Sequence, residues 1–184
     1  MKKNFIFRAR AYQQAGFTLI ELLIVITLTV IMLLTASTLF MTFLISGAKV
    51  NSAQLVKQEG QHALTQIEFL LRNAIEIVPN RFDQQCIANM TEIKFRSMDG
   101  EETTLSIEDD DGIDKIASNS GIYLTSDAVE IVGGSINFTC TQNNDQSHPH
   151  VNFSFTLRKG TLGVDKARDI VEETFTASTT IRSL

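Results

Sequence analysis

The chain is poor in the residues that mark several common classes. It has 2 cysteines, 2 prolines and 10 glycines in 184 positions. That excludes a disulfide-dense miniprotein and a collagen-like repeat. Hydrophobic residues at 43% and charged residues at 20% exclude disorder throughout. Positive charge is scarce beyond the start. Lys2, Lys3, Arg8 and Arg10 stand in the first 16 residues with no acid, and the remainder carries 12 basic against 21 acidic side chains, or −9. Such a body does not suit a general nucleic-acid binder, whose affinity comes largely from neutralising phosphates. No local basic patch offsets it, so no direct nucleic-acid binding is expected. G-x-S-x-G, Walker A, H-E-x-x-H and a Ser/His/Asp nucleophile motif are all missing. The chain therefore reads as non-enzymatic, with no cofactor.

A long apolar run is present instead. Phe17–Ile45 holds one charge, Glu21, and Leu22–Ile45 is 24 residues without any. At 1.5 Å per residue, a helix of that length crosses a hydrocarbon core of roughly 30 Å. Thr27, Thr29, Thr35, Ser37, Thr38 and Thr42 interrupt the run. Their hydroxyls can bond back to the helix's own carbonyls, which makes them tolerable in lipid. The basic residues upstream predict a cytoplasmic N-terminus and an exported body.

A secretory signal peptide would have an apolar core of about 7–15 residues and then an A-x-A-like site. This run is longer, and Thr35-Ala36-Ser37 lies inside it. A plain membrane anchor and a buried core helix are the other simple readings, and the missing polar face argues against the second. None of the three explains Glu21. A carboxylate inside a membrane helix costs roughly 2.5–3.5 kcal/mol at the centre, less near an interface, and usually has a partner.

Gly16-Phe17-Thr18-Leu19-Ile20-Glu21-Leu22-Leu23 resembles the processing and assembly motif of type IV prepilins and type II secretion pseudopilins. The resemblance implies that a membrane-embedded aspartyl prepilin peptidase cuts between Gly16 and Phe17 and N-methylates Phe17. Glu21 then becomes the fifth residue of the mature chain and pairs with the Phe17 amine of a neighbouring subunit. Each charge removes the other's desolvation penalty, so the pair sets register more than it adds net attraction. The implied partners are other pilin or pseudopilin subunits, the peptidase and inner-membrane lipid. The implied location is a single-pass inner-membrane protein with its domain periplasmic, later in a pilus or at the cell surface. Gln66–Ala74, Leu124–Val129, Ile136–Phe138 and Thr176–Arg182 further resemble the scaffold helix, central strands and closing strand of minor pseudopilins of the J type. Such a chain is a structural subunit of a type IV pilus or type II secretion pseudopilus. The alternative from another class is a membrane-anchored exported binding module that never polymerises.

After the apolar run the period stays helical. Val56, Gly60, Ala63, Leu64, Ile67, Leu70, Leu71, Ala74, Ile75 and Val78 recur at spacings of three and four. One helix is therefore expected from about Thr18 to about Val78, ended by Pro79, with weak points at Gly47 and Gly60. Asn80–Thr91 reads as a loop. Strands are expected at Glu92–Ser97, Thr103–Glu108, Gly121–Leu124, Ala128–Val132, Ser135–Thr141, Val151–Arg158 and Glu173–Ile181. Turn signals separate them, among them 99–100, 109–112, 118–121, 133–134 and 143–145. The expected fold is α+β, pilin-like, with the long helix packed on a mostly antiparallel sheet. The expected divisions are a leader at 1–16, a membrane and assembly helix at 17–46, and an exported domain at 47–184.

Three further features invite chemistry. Cys86 and Cys140 are an even pair on the exported side, which reads as a disulfide in an oxidising compartment. Asp109-Asp110-Asp111-Gly112-Ile113-Asp114 invites calcium, but Ile107 and Ser118 stand where the EF-hand pattern needs its first and closing ligands. A solvated acidic turn is the better reading. His148-Pro149-His150 lacks a third ligand nearby and reads as a surface loop, and His62 as a helix-surface residue. No metal site is expected.

Overall fold

The computed structural model describes residues 16–119, 121–142, 148–160 and 170–182. The leader up to residue 15, and the turn signals at 120 and 143–145, lie outside them. The chain divides into two units, Met1–Ser46 and Gly47–Leu184.

In the first unit, α1 (Leu19–Arg72) begins after Thr18. Every described residue as far as Val50 is exposed, and the apolar stretch has none of itself buried inside the molecule. That removes the core-helix reading, because a core helix is mostly buried. All six interrupting hydroxyls bond backwards. Thr29, Ser37 and Thr42 donate to the carbonyls of Val25, Leu33 and Thr38 at 2.7, 2.8 and 2.9 Å. Thr27, Thr35 and Thr38 donate to those of Ile24, Met32 and Thr35, each at 2.9 Å. The run therefore presents methyl groups outward with its polar atoms satisfied.

In the second unit, α1 buries Val56, Gly60, Ala63, Ile67 and Leu71, one stripe at spacings of three and four. Gly60 is a contact rather than a weak point. A Cβ there would fall inside the ring of Phe175, so only glycine lets the closing strand approach this closely. α1 also runs through Gly47 without interruption.

The helix stops six residues short of the expected end. The Asn73 amide is shared by the Phe69 and Leu70 carbonyls, both at 3.2 Å, and then the chain extends. β1 (Ala74–Val78) pairs with β2 (Ile93–Ser97), with a bulge between Ala74 and Glu76. Buried Ala74, Ile77 and Val78 imitate helical spacing over a segment too short to separate the two periods. Its three β-branched residues and Pro79 favour the extended form.

β2 pairs with β3 (Glu102–Asp110), and β3 with β4 (Ile113–Ser118), completing a four-stranded antiparallel sheet, β1-β2-β3-β4. Asp111 and Gly112 close the β3–β4 hairpin with φ of 54° and 85°, the left-handed pair of a two-residue type I′ turn. β4 was not foreseen, because Ile113, Ile116 and Ala117 do not alternate. The expected strand at Gly121–Leu124 reduces to one bridge, Ala117 to Tyr123.

The second sheet contains β5 (Glu130–Ile131), β6 (Asn137–Thr141), β7 (His150–Lys159) and β8 (Val171–Thr180), all antiparallel. β5 and β6 pair in turn along one side of β7, while β8 follows β7 through ten uninterrupted rungs. One sheet was expected and two form. Their apolar faces share a core with the helix stripe that includes Phe95, Phe138, Phe155, Met90 and Ile116. Phe155 and Phe175 stack at 5.4 Å between ring centroids beside Gly60.

Candidate functional site: the N-terminal processing and assembly segment

Gly16 and Phe17 precede the helix and are exposed, Phe17 to 82%. Nothing lies within 4 Å of where a Gly16 side chain would begin. Thr18 caps α1. Its carbonyl accepts the Glu21 and Leu22 amides at 3.1 and 3.3 Å, and its Oγ1 accepts the Glu21 amide at 3.3 Å. Thr18-Leu19-Ile20-Glu21 thus has the T-x-x-E spacing of a capping box, with Glu21 as the third helical residue. The sequence reading used Glu21 only as a charge, although that spacing was there to be read.

This placement suits an anion. The first-turn amides have no partners within the helix, and the helix dipole is positive at that end. Glu21 is exposed, and no cation pairs with its carboxylate among the described residues. The helix thus carries a single carboxylate at the head of an otherwise apolar exposed surface, four residues from Phe17.

The remaining candidate residues lie in the second unit. Cys86 and Cys140 are joined in a disulfide with Cα atoms 4.9 Å apart. Beside it, the Cys140 amide donates to Ile87 at 2.9 Å, and Met90 and Phe138 exchange both backbone bonds at 2.8 Å. The bridge thus clamps the 87–90 segment onto β6. At the head of the same loop, buried Asn80 accepts the Phe82 and Gln84 amides and donates to the Glu92 carbonyl. Glu92, itself buried, holds Arg81 at 2.7 Å.

The acidic run 109–114 is split by the hairpin. Asp110 turns to Lys115, which is buried on β4 and also held by Asp127. Hydrogen bonds that the Lys115 ammonium donates to Asp110 and Asp127 hold it above its ordinary range, against the opposing effect of burial. Its Nζ lies 4.9 Å from the Tyr123 ring centroid, and burial, reinforced by Asp110, raises the Tyr123 phenol. A lysine inside an acidic cluster was not legible beforehand, because the strand that buries it was not. His150 opens β7 and its Nδ1 meets Thr180 Oγ1 at 3.1 Å, Pro149 is buried, and His62 is exposed on α1. Among the described residues, no three His, Cys, Asp or Glu side chains converge on a common point.

No curated protein and no solved structure shows significant similarity to the chain. The capped, apolar, carboxylate-headed segment is different: residues 12–37 match the prokaryotic N-terminal methylation motif, the signature of type IV pilin-like proteins.

Proposed function

We propose that this chain is a minor pilin or pseudopilin, a structural subunit of a type IV pilus or type II secretion pseudopilus. The observation that carries the reading is the methylation motif at residues 12–37, placed at the head of an exposed apolar helix. Prepilin peptidase cuts after Gly16 and methylates Phe17. The subunit waits in the inner membrane with its N-terminus cytoplasmic and its domain periplasmic, and then enters a fibre through α1. During entry Glu21 meets the Phe17 amine of a neighbour. A lone charge there is strongly disfavoured, so the pair selects the axial register at which both are satisfied. The domain contributes surfaces to the machine, and the cleavage and methylation are performed on the chain by the peptidase.

The test is N-terminal peptide mass spectrometry on membrane and sheared-surface fractions of native cells. The expected N-terminus is N-methyl-Phe17, with some of it in the sheared fraction. Chains that keep residues 1–16 beside an active prepilin peptidase, and occur only in membranes, would replace this reading with a non-polymerising anchored binding module.

A further inference from the structure

Long sheet edges display unpaired backbone groups and invite another strand, so folded proteins commonly cover or blunt them. This domain covers most of its own. The β6 edge is closed by the 87–90 segment and its disulfide. The β4 edge is met by Ile122 and Leu124, which bond Ser118 and Ile116 at 2.7 Å. On β1, Gln85 caps the Ile77 carbonyl at 2.8 Å. The outer edge of β8 is treated differently.

The direction of each β8 backbone group follows from the ladder. Phe138 and Cys140 bond outward to Met90 and Ile87, so β6 meets β7 through Asn137, Thr139 and Thr141. Their partners on β7 are the even residues His150, Asn152 and Ser154. Val132 bonds the Thr156 carbonyl at 2.8 Å, which confirms that even positions of β7 face that side. Odd positions of β7 therefore bond β8, at Thr179, Ala177, Phe175 and Glu173. The remaining β8 residues, Glu172, Thr174, Thr176, Ser178 and Thr180, direct their N–H and C=O groups away from the sheet. Among the described residues no backbone group meets them. Between Thr174 and Thr180 the strand has no proline, no charge and no register break. None of the usual protective devices is present there.

Charge indicates what fits this edge. Glu172 stands at one end, where Arg158 of β7 approaches it only to 3.6 Å, and Arg182 just past the other, both exposed, with hydroxyls between. An incoming strand must be basic where this one is acidic and acidic where it is basic. The same strand running antiparallel meets both conditions. We propose that the open edge of β8 is a self-association edge, on which a second copy of this chain pairs its own β8 antiparallel with Ala177 on the two-fold axis. Glu172 then lies opposite Arg182, Thr174 opposite Thr180, and Thr176 opposite Ser178. The outward-directed even residues form the hydrogen-bonded rungs, and Phe175 remains on the core face opposite Thr179. A shift of one residue would put Phe175 opposite Ser178 and mix the two faces. A shift that puts Thr176 on the axis separates Glu172 from Arg182. Hydroxyl pairs and opposite charges directly across an antiparallel pair are favourable contacts.

The test uses the full chain in detergent, with association followed by sedimentation and by mild oxidation of single-cysteine additions. Ala177 would sit in a non-hydrogen-bonded rung with its symmetry mate, about 4.5 Å between Cα atoms, within disulfide reach. Ala177→Cys should give a cross-linked dimer, and Thr174→Cys, which faces Thr180 of the second copy, should not. Thr176→Pro removes an outward N–H at each of two related rungs and leaves the bonds to β7 in place. It should weaken association about thirtyfold while the circular dichroism stays native. Equal cross-linking of both cysteine variants, a chain that stays monomeric throughout, or association that Thr176→Pro leaves unchanged would each overturn the proposal. Dimers held by the apolar helix alone would show the first or third pattern.

Discussion

Removing the disulfide should destabilise the Gly47–Leu184 unit by an amount that its position in the chain sets. Cys86 and Cys140 are 54 residues apart. Closing a loop of that length lowers the entropy of the unfolded chain, and the chain-entropy relation gives about 4 kcal/mol at 25 °C. The folded state should lose little by comparison. The 87–90 segment keeps its three backbone bonds to β6 without the sulfurs. Cys140 is buried, so Cys140→Ala is the milder replacement, since a serine would bury a hydroxyl there. The perturbation is therefore Cys86→Ala with Cys140→Ala, followed by equilibrium urea unfolding under non-reducing conditions. With a slope of about 2 kcal/mol/M, the midpoint should fall by about 2 M. The slope should rise slightly, because an uncrosslinked denatured chain exposes more surface. Reduction of the wild type should reproduce the shift. A fall below about 0.5 M in both experiments would refute the entropic reasoning and show that the unfolded chain already holds the two positions together.

Other outcomes follow from particular contacts. Gly60→Val drives a side chain into the Phe175 ring; a loss of about 1–3 kcal/mol in urea unfolding is expected, partly recovered by adding Phe175→Ala. Lys115 is raised above its ordinary 10.5 by its two aspartates, so its contribution is fully present below that value and disappears as pH rises through the folded pKa. Alkaline unfolding of the wild type should therefore show a stability decline above pH 10.5 that Lys115→Met lacks. Glu102 is held below its usual range by hydrogen bonds from Lys94 and Arg96, so its contribution exists above the unfolded carboxylate value and fades as pH falls through the folded one. Acid titration of Glu102→Gln should show a smaller decline than wild type, modest because the group is exposed. Glu21→Ala should leave cleavage after Gly16 intact and remove the chain from sheared fibres, read by mass spectrometry and immunoblot; normal recovery in the fibre would refute the charge-pair step.

The apolar run, the hydroxyls that bond back within it, the Glu21 motif and the helical stripe from Val56 to Leu71 were legible in the sequence. Each depends on residues within a turn or two of one another, or on a length set against a membrane. The same locality explains the misreadings. Ala74–Val78 has a spacing that suits helix and strand alike, and only β2 beside it decides for the strand. β4 does not alternate and exists because β3 pairs with it through the Asp111-Gly112 turn. Gly60 reads as a helix weakness until the Phe175 ring is found against it. The sequence by itself determined a membrane-length helix headed by the methylation motif, because helix formation and transfer into lipid are properties of a continuous segment. The Cys86–Cys140 bridge was expected from the even pair and is formed, whereas tertiary structure alone decided the division into two sheets, the burial of Lys115 among aspartates and the open side of β8. Those depend on which distant backbone groups pair, and that choice belongs to the folded chain as a whole.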